Sequence, residues 1–377
     1  MNHRSTLTPI VLPVSSEQES IAGWLMRGPA QMVSGAHAGA VAGTVDAAGR
    51  AGYAYPEITG YFLQWLAWRA ARHGFAANLA APAAAAQQWL AYWLESNDPP
   101  LTRIPLDQTI EDWRNTAVFC FDLAMVLRGI ASAARLQLIV PNPAVIAGLT
   151  RQLQRLVGAD GIFDACVPHG DDVTLPRRWS TRRGGFLAKA AAGIMSAGDC
   201  LPGIDADIRR AAAATFAASL RWAAESPHDD VHPLLYTFEG ILSLPRHPQF
   251  QTVLPEISAQ FDGLLADTRA LGRVPESRRC TTAITGPERL DILAQTIRVG
   301  HLLQAHRPQQ PPDRIGLARL QQILVQNVRP GGAVPFAIGL QPIQYNVWAA
   351  MFAEQALGFV PRADDPHAAA DLGLLLA

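Results

Sequence analysis

Apolar residues recur at helical spacing along most of the chain, and stretches that alternate apolar with polar positions are scarce. The first long run is the clearest. Pro56 suits the first position of a helix, where a missing N–H costs nothing. Ile58, Phe62, Leu63, Trp65 and Leu66 follow at helical spacing, and Gly74 ends the run. The same pattern predicts helices over 82–96, 106–136, 143–157, 185–197, 205–224, 232–242, 250–271, 287–304, 314–328 and 341–357, with a poorly marked last one from about residue 365. These twelve segments fall into six pairs. Residues 1–54 are rich in Gly and Ala and weakly periodic, with Trp24, Leu25 and Met26 marking a short helix. They read as a lead-in packed on a main domain of residues 55–377.

Several second helices end alike, on Gly158, Gly272 and Gly331-Gly332, each followed by a short apolar step. The repeat is roughly 50–60 residues long, longer than the usual solenoid unit, and favours a closed ring over an open superhelix. The first helices carry small and unusual polar residues: Thr59 and Gly60, Lys189 to Gly193, Thr237 and Gly240, Thr296 and Gly300. The second helices look conventionally amphipathic, as in 205–224 with Arg209, Arg210 and Arg221 around an apolar stripe. The expected fold is therefore all-α, an (α/α)6 toroid with the first helices inside and the second outside. The loops entering the inner helices then surround one mouth.

Composition narrows the partners. Hydrophobic residues make up 49% of the 377, ample for one large core. Lys+Arg is 31 against Asp+Glu 32, so the overall basic excess of a nucleic-acid binder is missing. The four cysteines, Cys120, Cys166, Cys200 and Cys280, have no metal-ligand spacing and read as mostly buried thiols. No stretch reaches the length of a membrane span, and the N-terminus does not read as a signal peptide, which makes the cytoplasm the expected location. No cofactor is called for. Neither the nucleophile elbow, the Walker loop nor the dinucleotide fingerprint occurs.

The candidate chemistry lies in the loops entering the inner helices. Glu57 sits in a first helical turn between Tyr55 and Tyr61; it either complements the helix dipole or stands at the mouth beside sugar-stacking rings. Trp113 and Arg114 open the next predicted helix, with Asp122 two turns on; Trp113 either packs or paves a sugar subsite. The third loop holds Asp171 and Asp172, then Arg177, Arg178, Trp179, Arg182 and Arg183. It is either a solvated set of ion pairs or a site for an anion such as a uronic acid, a sialic-type acid or a sugar nucleotide. His232, Tyr236 and Glu239 share a helix face suited to acid–base work, and the string His228-Asp229-Asp230-Val231-His232 is also a weak metal pattern. Arg278, Arg279, Asp291 and Gln295, then Tyr345 and Trp348, complete the mouth.

The segment Tyr55-Pro56-Glu57-Ile58-Thr59-Gly60-Tyr61 resembles a signature of helical proteins associated with bacterial surface-polysaccharide synthesis. His232 to Leu242 and Leu290 to Gln295 are similar to two further pieces of that group. The resemblance implies the six-hairpin glycosidase type of fold, which hosts hydrolases, unsaturated-uronyl hydrolases, lyases, epimerases and inactive binding modules. The leading expectation is a hydrolase or lyase acting on an anionic bacterial oligo- or polysaccharide. Its acid–base candidates are Glu57, Asp171, Asp172, His232, Tyr236, Glu239 and Asp291. Two alternatives stay open: a non-catalytic sugar-binding subunit of a synthesis complex, and a transferase on the same polymer with Cys280 or a serine as nucleophile. The sequence fixes no oligomeric state.

Overall fold

The computed structural model describes residues 15–74, 77–96, 98–107, 111–279 and 286–359. Twelve helices run in chain order: α1 (Ser16–Arg27), α2 (Pro56–His73), α3 (Ala77–Ser96), α4 (Cys120–Arg135), α5 (Pro143–Gln154), α6 (Leu187–Gly198), α7 (Ala206–Glu225), α8 (Val231–Leu242), α9 (Phe250–Leu271), α10 (Leu290–His306), α11 (Arg314–Asn327) and α12 (Val347–Gly358). The even-numbered helices pack on one another in sequence, and α12 returns to α2, closing an inner ring. The odd-numbered helices lie outside, each against an inner partner. This is the (α/α)6 toroid.

The inner helices touch protein on every side. Pro56 to Trp68 is buried without interruption, as is Leu290 to Leu303. Two close approaches explain their small residues. A Cβ on Gly129 would stand 2.1 Å from the Gly60 carbonyl oxygen, so α2 and α4 cross backbone to backbone. A Cβ on Gly240 would stand 2.2 Å from the Lys189 nitrogen, which fixes α8 against α6 in the same way.

The ring closes differently from the pattern's expectation. The outer helix packed on α12 is α1, from the lead-in; the segment predicted from about residue 365 lies outside the described residues. Glu354 on α12 makes the join. It accepts from Gln18 Nε2 of α1 at 2.9 Å, and from Trp65 Nε1, Trp68 Nε1 and Arg69 Nη1 of α2 at 3.0, 2.9 and 3.0 Å. The sequence marks a short helix here, but Ser16, Glu17, Glu19 and Ser20 dilute its apolar stripe and the buried face includes polar Gln18, so its place in the ring is not evident from periodicity.

Three other boundaries move. The segment 106–136 is helical only from Cys120. Before it come β3 (Ile104–Pro105), a 3-10 turn at Trp113–Thr116 capped by Asp112, and β4 (Ala117–Phe119). Phe119 and Val118 pair antiparallel with Cys166 and Val167 of β5 (Cys166–Pro168), and this competing partner takes their backbone out of the helix. β3 itself pairs with β2 (Tyr53–Ala54). Likewise β6 (Gln344–Asn346) pairs with β1 (Thr44–Asp46) and delays α12 to Val347. Helix α3 starts five residues before Pro82, which lies inside it. Of the cysteines, Cys120 is buried, Cys166 half-buried and Cys200 exposed, while Cys280 lies outside the described residues. Among the described residues no helix is long and apolar enough to cross a membrane.

Candidate active site

Short extended segments lead into α2, α4 and α12, and all the inner helices begin at one end of the ring. Their first turns surround a cavity of about 250 Å³. Glu57 and Ile58 come from α2, Asp122 from α4, His232 and Tyr236 from α8, Arg289 from the start of α10 and Trp348 from α12. Tyr55, Arg103, Arg114, Arg178 and Trp179 reach in from the loops. The helix N-termini add partial positive charge to that of the guanidinium groups, beside the carboxyls of Glu57 and Asp122.

Two carboxyls meet in the cavity wall. Asp122 and Glu57 are neighbours, and the charge of Glu57 favours a proton on Asp122. Asp122 Oδ2 is buried and has no hydrogen-bond partner among the described residues. Burial, then the neighbouring charge of Glu57, hold the Asp122 carboxyl well above its ordinary range. Burial also raises Glu57, but the Tyr55 hydroxyl donates to it and Arg103, Lys189 and Arg114 oppose the rise. Asp122 is raised the further of the two and is the group that favours its protonated form. Arg103 is kept in place over the rings of Tyr53 and Tyr55, at 4.7 and 4.9 Å, and by Asp112 at 3.2 Å. Arg114 shares Asp112 at 2.9 Å.

On α8, opposite α2 in the ring order, His232 is the second group. Its Nδ1 is 2.9 Å from Gln295 Oε1, while Gln295 Nε2 donates to Glu239 Oε2 at 3.1 Å. Glu239 can only accept while ionised. Burial works against its ionisation, yet Arg298 at 3.2 Å and Lys189 at 2.6 Å outweigh burial and hold it below the usual carboxylate range. The Gln295 amide is thereby oriented, with its oxygen toward the imidazole. Nδ1 must then carry the hydrogen, and Nε2 presents a lone pair. Burial, helped by the Arg289 cation, pushes His232 down to about 4, so the ring is neutral near pH 7. A neutral base and a protonated acid thus line one small cavity.

The other sequence candidates fall into three groups. Tyr61, Glu239, Asp291 and Gln295 are buried behind the cavity rather than lining it. Asp291 forms a two-bond ion pair with Arg289, at 3.0 and 2.6 Å, and accepts from Trp348 Nε1 at 3.1 Å; it fixes two lining side chains. The Lys189 ammonium lies over the Tyr61 and Tyr236 rings at 4.9 and 4.7 Å, and burial pulls it down to about 7 despite Glu239. Trp113 is at the rim, under Arg114 and Arg178, while Arg177 and Arg182 line a recess outside the cavity. Asp171, Asp172, Arg278, Arg279 and Tyr345 stand apart from the cavity lining. Asp171 and Asp172 are exposed, Arg279 pairs with Asp229 at 2.8 Å, and Tyr345 packs edge-on against Trp24. The string from His228 to His232 does not converge: among the described residues no three His, Cys, Asp or Glu side chains are grouped for a metal.

Asp122 and Arg103 line the cavity without having been among the sequence candidates. Asp122 was masked by the misplaced helix start, which put it two turns from the mouth instead of in the first turn. Arg103 lies just before β3 in the connection from α3 to α4, and no sequence signal marks it.

No protein-family model matches the chain, and no curated protein matches it in sequence. Solved structures do match in shape. A D-mannose isomerase superposes with a TM-score of 0.65 at 12% identity, covering 91% of this chain and 95% of that one. An unsaturated glucuronyl hydrolase from Bacillus sp. GL1 gives 0.62 at 13%, covering 90% and 94%. A cellobiose 2-epimerase from Spirochaeta thermophila gives 0.66 at 11%, covering 90% and 96%. At such identities the likeness concerns architecture, and it shows that the chain has the (α/α)6 toroid fold of the six-hairpin glycosidase-like proteins.

Proposed function

We propose that the chain is a carbohydrate-active enzyme that hydrolyses the terminal acidic unit of a bacterial oligosaccharide, by adding water across an unsaturated uronyl ring. The observation that carries this reading is that buried Asp122, beside Glu57, and the neutral imidazole of His232 line one cavity on the scale of a single sugar ring. Hydrolysis by two separated carboxyls needs them about 5–9.5 Å apart across the scissile bond, whereas the Asp122–Glu57 pair lies side by side in one wall of the cavity. It is suited instead to giving one proton to carbon. Asp122 protonates C4 of the ring, water adds at C5, and His232 takes the proton that the water releases. The resulting hemiketal opens and sheds the neighbouring unit. Arg114, Arg178 and Arg289 hold the ring's carboxylate. A ring-sized cavity favours a chain end over the middle of a polymer.

The fixed His232 tautomer also favours a second reading, proton abstraction beside a carbonyl, as an epimerase or isomerase requires; enzymes named for both activities share this fold. One assay separates the readings. Acidic oligosaccharides, saturated and unsaturated, are incubated with the protein in D₂O and followed by ultraviolet absorbance and NMR. Loss of the absorbance of the carboxylate-conjugated double bond supports hydrolysis, and its appearance from saturated polymer supports a lyase. Deuterium at a stereocentre without chain cleavage supports the epimerase. Binding without turnover of any sugar contradicts all three and favours a sugar-binding subunit.

A further inference from the structure

We propose that the recess outside the cavity is a second acidic-sugar subsite, which takes the unit next to the ring held inside. This rests on the reading of the cavity as a sugar site. The recess measures about 620 Å³ and shares Arg178, Trp179, His232 and Arg289 with the cavity, so a chain leaving one enters the other.

Its charge arrangement suits one acidic sugar. Arg177, Arg178 and Arg182 have no carboxylate within ion-pair distance among the described residues. Of the acids nearby, Asp160 and Asp164 hold Arg183, at 2.6 and 2.9 Å, and Asp229 holds Arg279, while Asp230 and Glu276 line the recess without an ion pair among the described residues. Arg177 and Arg182 thus line the recess without an ion pair, with Arg178 at the boundary it shares with the cavity, and their guanidinium groups suit a carboxylate. Across the recess, Asp230 and Glu276 offer acceptors to sugar hydroxyls. Trp179 and Trp222 give apolar faces between the two walls.

The arginine loop is preorganised. Thr181 Oγ1 accepts from the Arg178 N–H at 3.0 Å and donates to the Pro176 carbonyl at 2.8 Å. Trp179 packs edge-on against Phe186 and His232, with ring centroids 5.1 and 6.1 Å apart. Binding therefore orders few groups that were free before.

The test compares a monomer with its dimer. Calorimetry measures binding of galacturonate and digalacturonate, and of glucuronate and its β-1,4-linked dimer, to the full chain and to the double variant Arg177→Ala, Arg182→Ala. In the wild type one dimer binds at least about tenfold more tightly than its monomer, the scale of a charge-assisted contact. In the variant that ratio falls toward one, and in the wild type it shrinks with added salt. A wild-type ratio near one, or a ratio unchanged in a variant with an unaltered melting temperature, overturns the second subsite while the cavity reading stands. Failure of every monomer and dimer to bind contradicts the cavity reading and the subsite with it.

Discussion

His232 Nδ1 lies 2.9 Å from Gln295 Oε1, and that contact sets which nitrogen of the imidazole is free. The amide cannot turn over without placing its NH₂ against the imidazole N–H and its oxygen against the Glu239 carboxylate. Gln295→Leu removes the constraint and leaves a side chain of similar bulk. The ¹⁵N shifts of His232 should report an Nδ1–H tautomer in the wild type and a mixture in the variant. Turnover should fall on the order of 10–100-fold, as for other hydrogen bonds that support a working histidine. An unchanged tautomer in the variant would falsify the relay.

Asp122→Asn keeps the size of the side chain and a donor for Glu57 but cannot give up a proton to substrate. A loss of about 10²–10⁴ in kcat, with KM little changed, is expected for a missing general acid. Glu57→Gln removes the charge that raises Asp122, so any residual activity should lose its alkaline limb at lower pH. Steady-state kinetics across pH checks both variants.

The pH profile of the wild type follows from the two groups. His232 works as the free base, and its folded value is about 4, so activity is lost as pH falls through that region. Asp122 works as the acid, and its value lies well above the ordinary carboxylate range, so activity is lost only when pH rises past that raised value. The expected kcat/KM profile is a bell whose acid limb lies well below the ordinary histidine value. An acid limb near 6.5, the usual value for a free histidine, would mean that His232 is not the base or is not buried as described.

Ring closure depends on Glu354, which is fully buried and accepts from four side chains. Glu354→Leu leaves the Arg69 cation, two indole N–H groups and the Gln18 amide without their acceptor. Removing one member of a buried charged network typically costs about 3–5 kcal/mol. Urea unfolding should show that loss, and proteolysis should begin within α1, which Glu354 joins to the ring through Gln18.

The sequence made the ring legible because its two kinds of helix bury different surfaces. Thr59, Gly60, Thr237, Gly240 and Gly300 lie on helices enclosed by protein, whereas 205–224 keeps a solvent face. The entry loops were legible for the same reason: once the inner helices are known, Tyr55, Glu57, Trp179, His232 and Trp348 have to lie near one mouth. Asp122 was not, because Ala117, Val118 and Phe119 continue the apolar run of α4 although their backbone pairs with β5. Nor was the role of α1, since only the partner helix, through Glu354, shows that its buried stripe closes the ring. The buried carboxylates were equally ambiguous. Nothing in the spacing of Glu239 or Asp291 separates a group that lines a cavity from one that orients its neighbours.

The central claim, proton transfer from the Asp122–Glu57 pair to a terminal unsaturated uronyl ring, is tested most directly by turnover of an unsaturated uronyl disaccharide in D₂O. The account predicts that the wild type consumes the double bond and leaves one deuterium at C4 of the opened ring, and that Asp122→Asn, folded and binding sugar normally, does neither. Equal rates for the wild type and Asp122→Asn, or a wild type that binds the disaccharide and leaves its double bond intact, would contradict it.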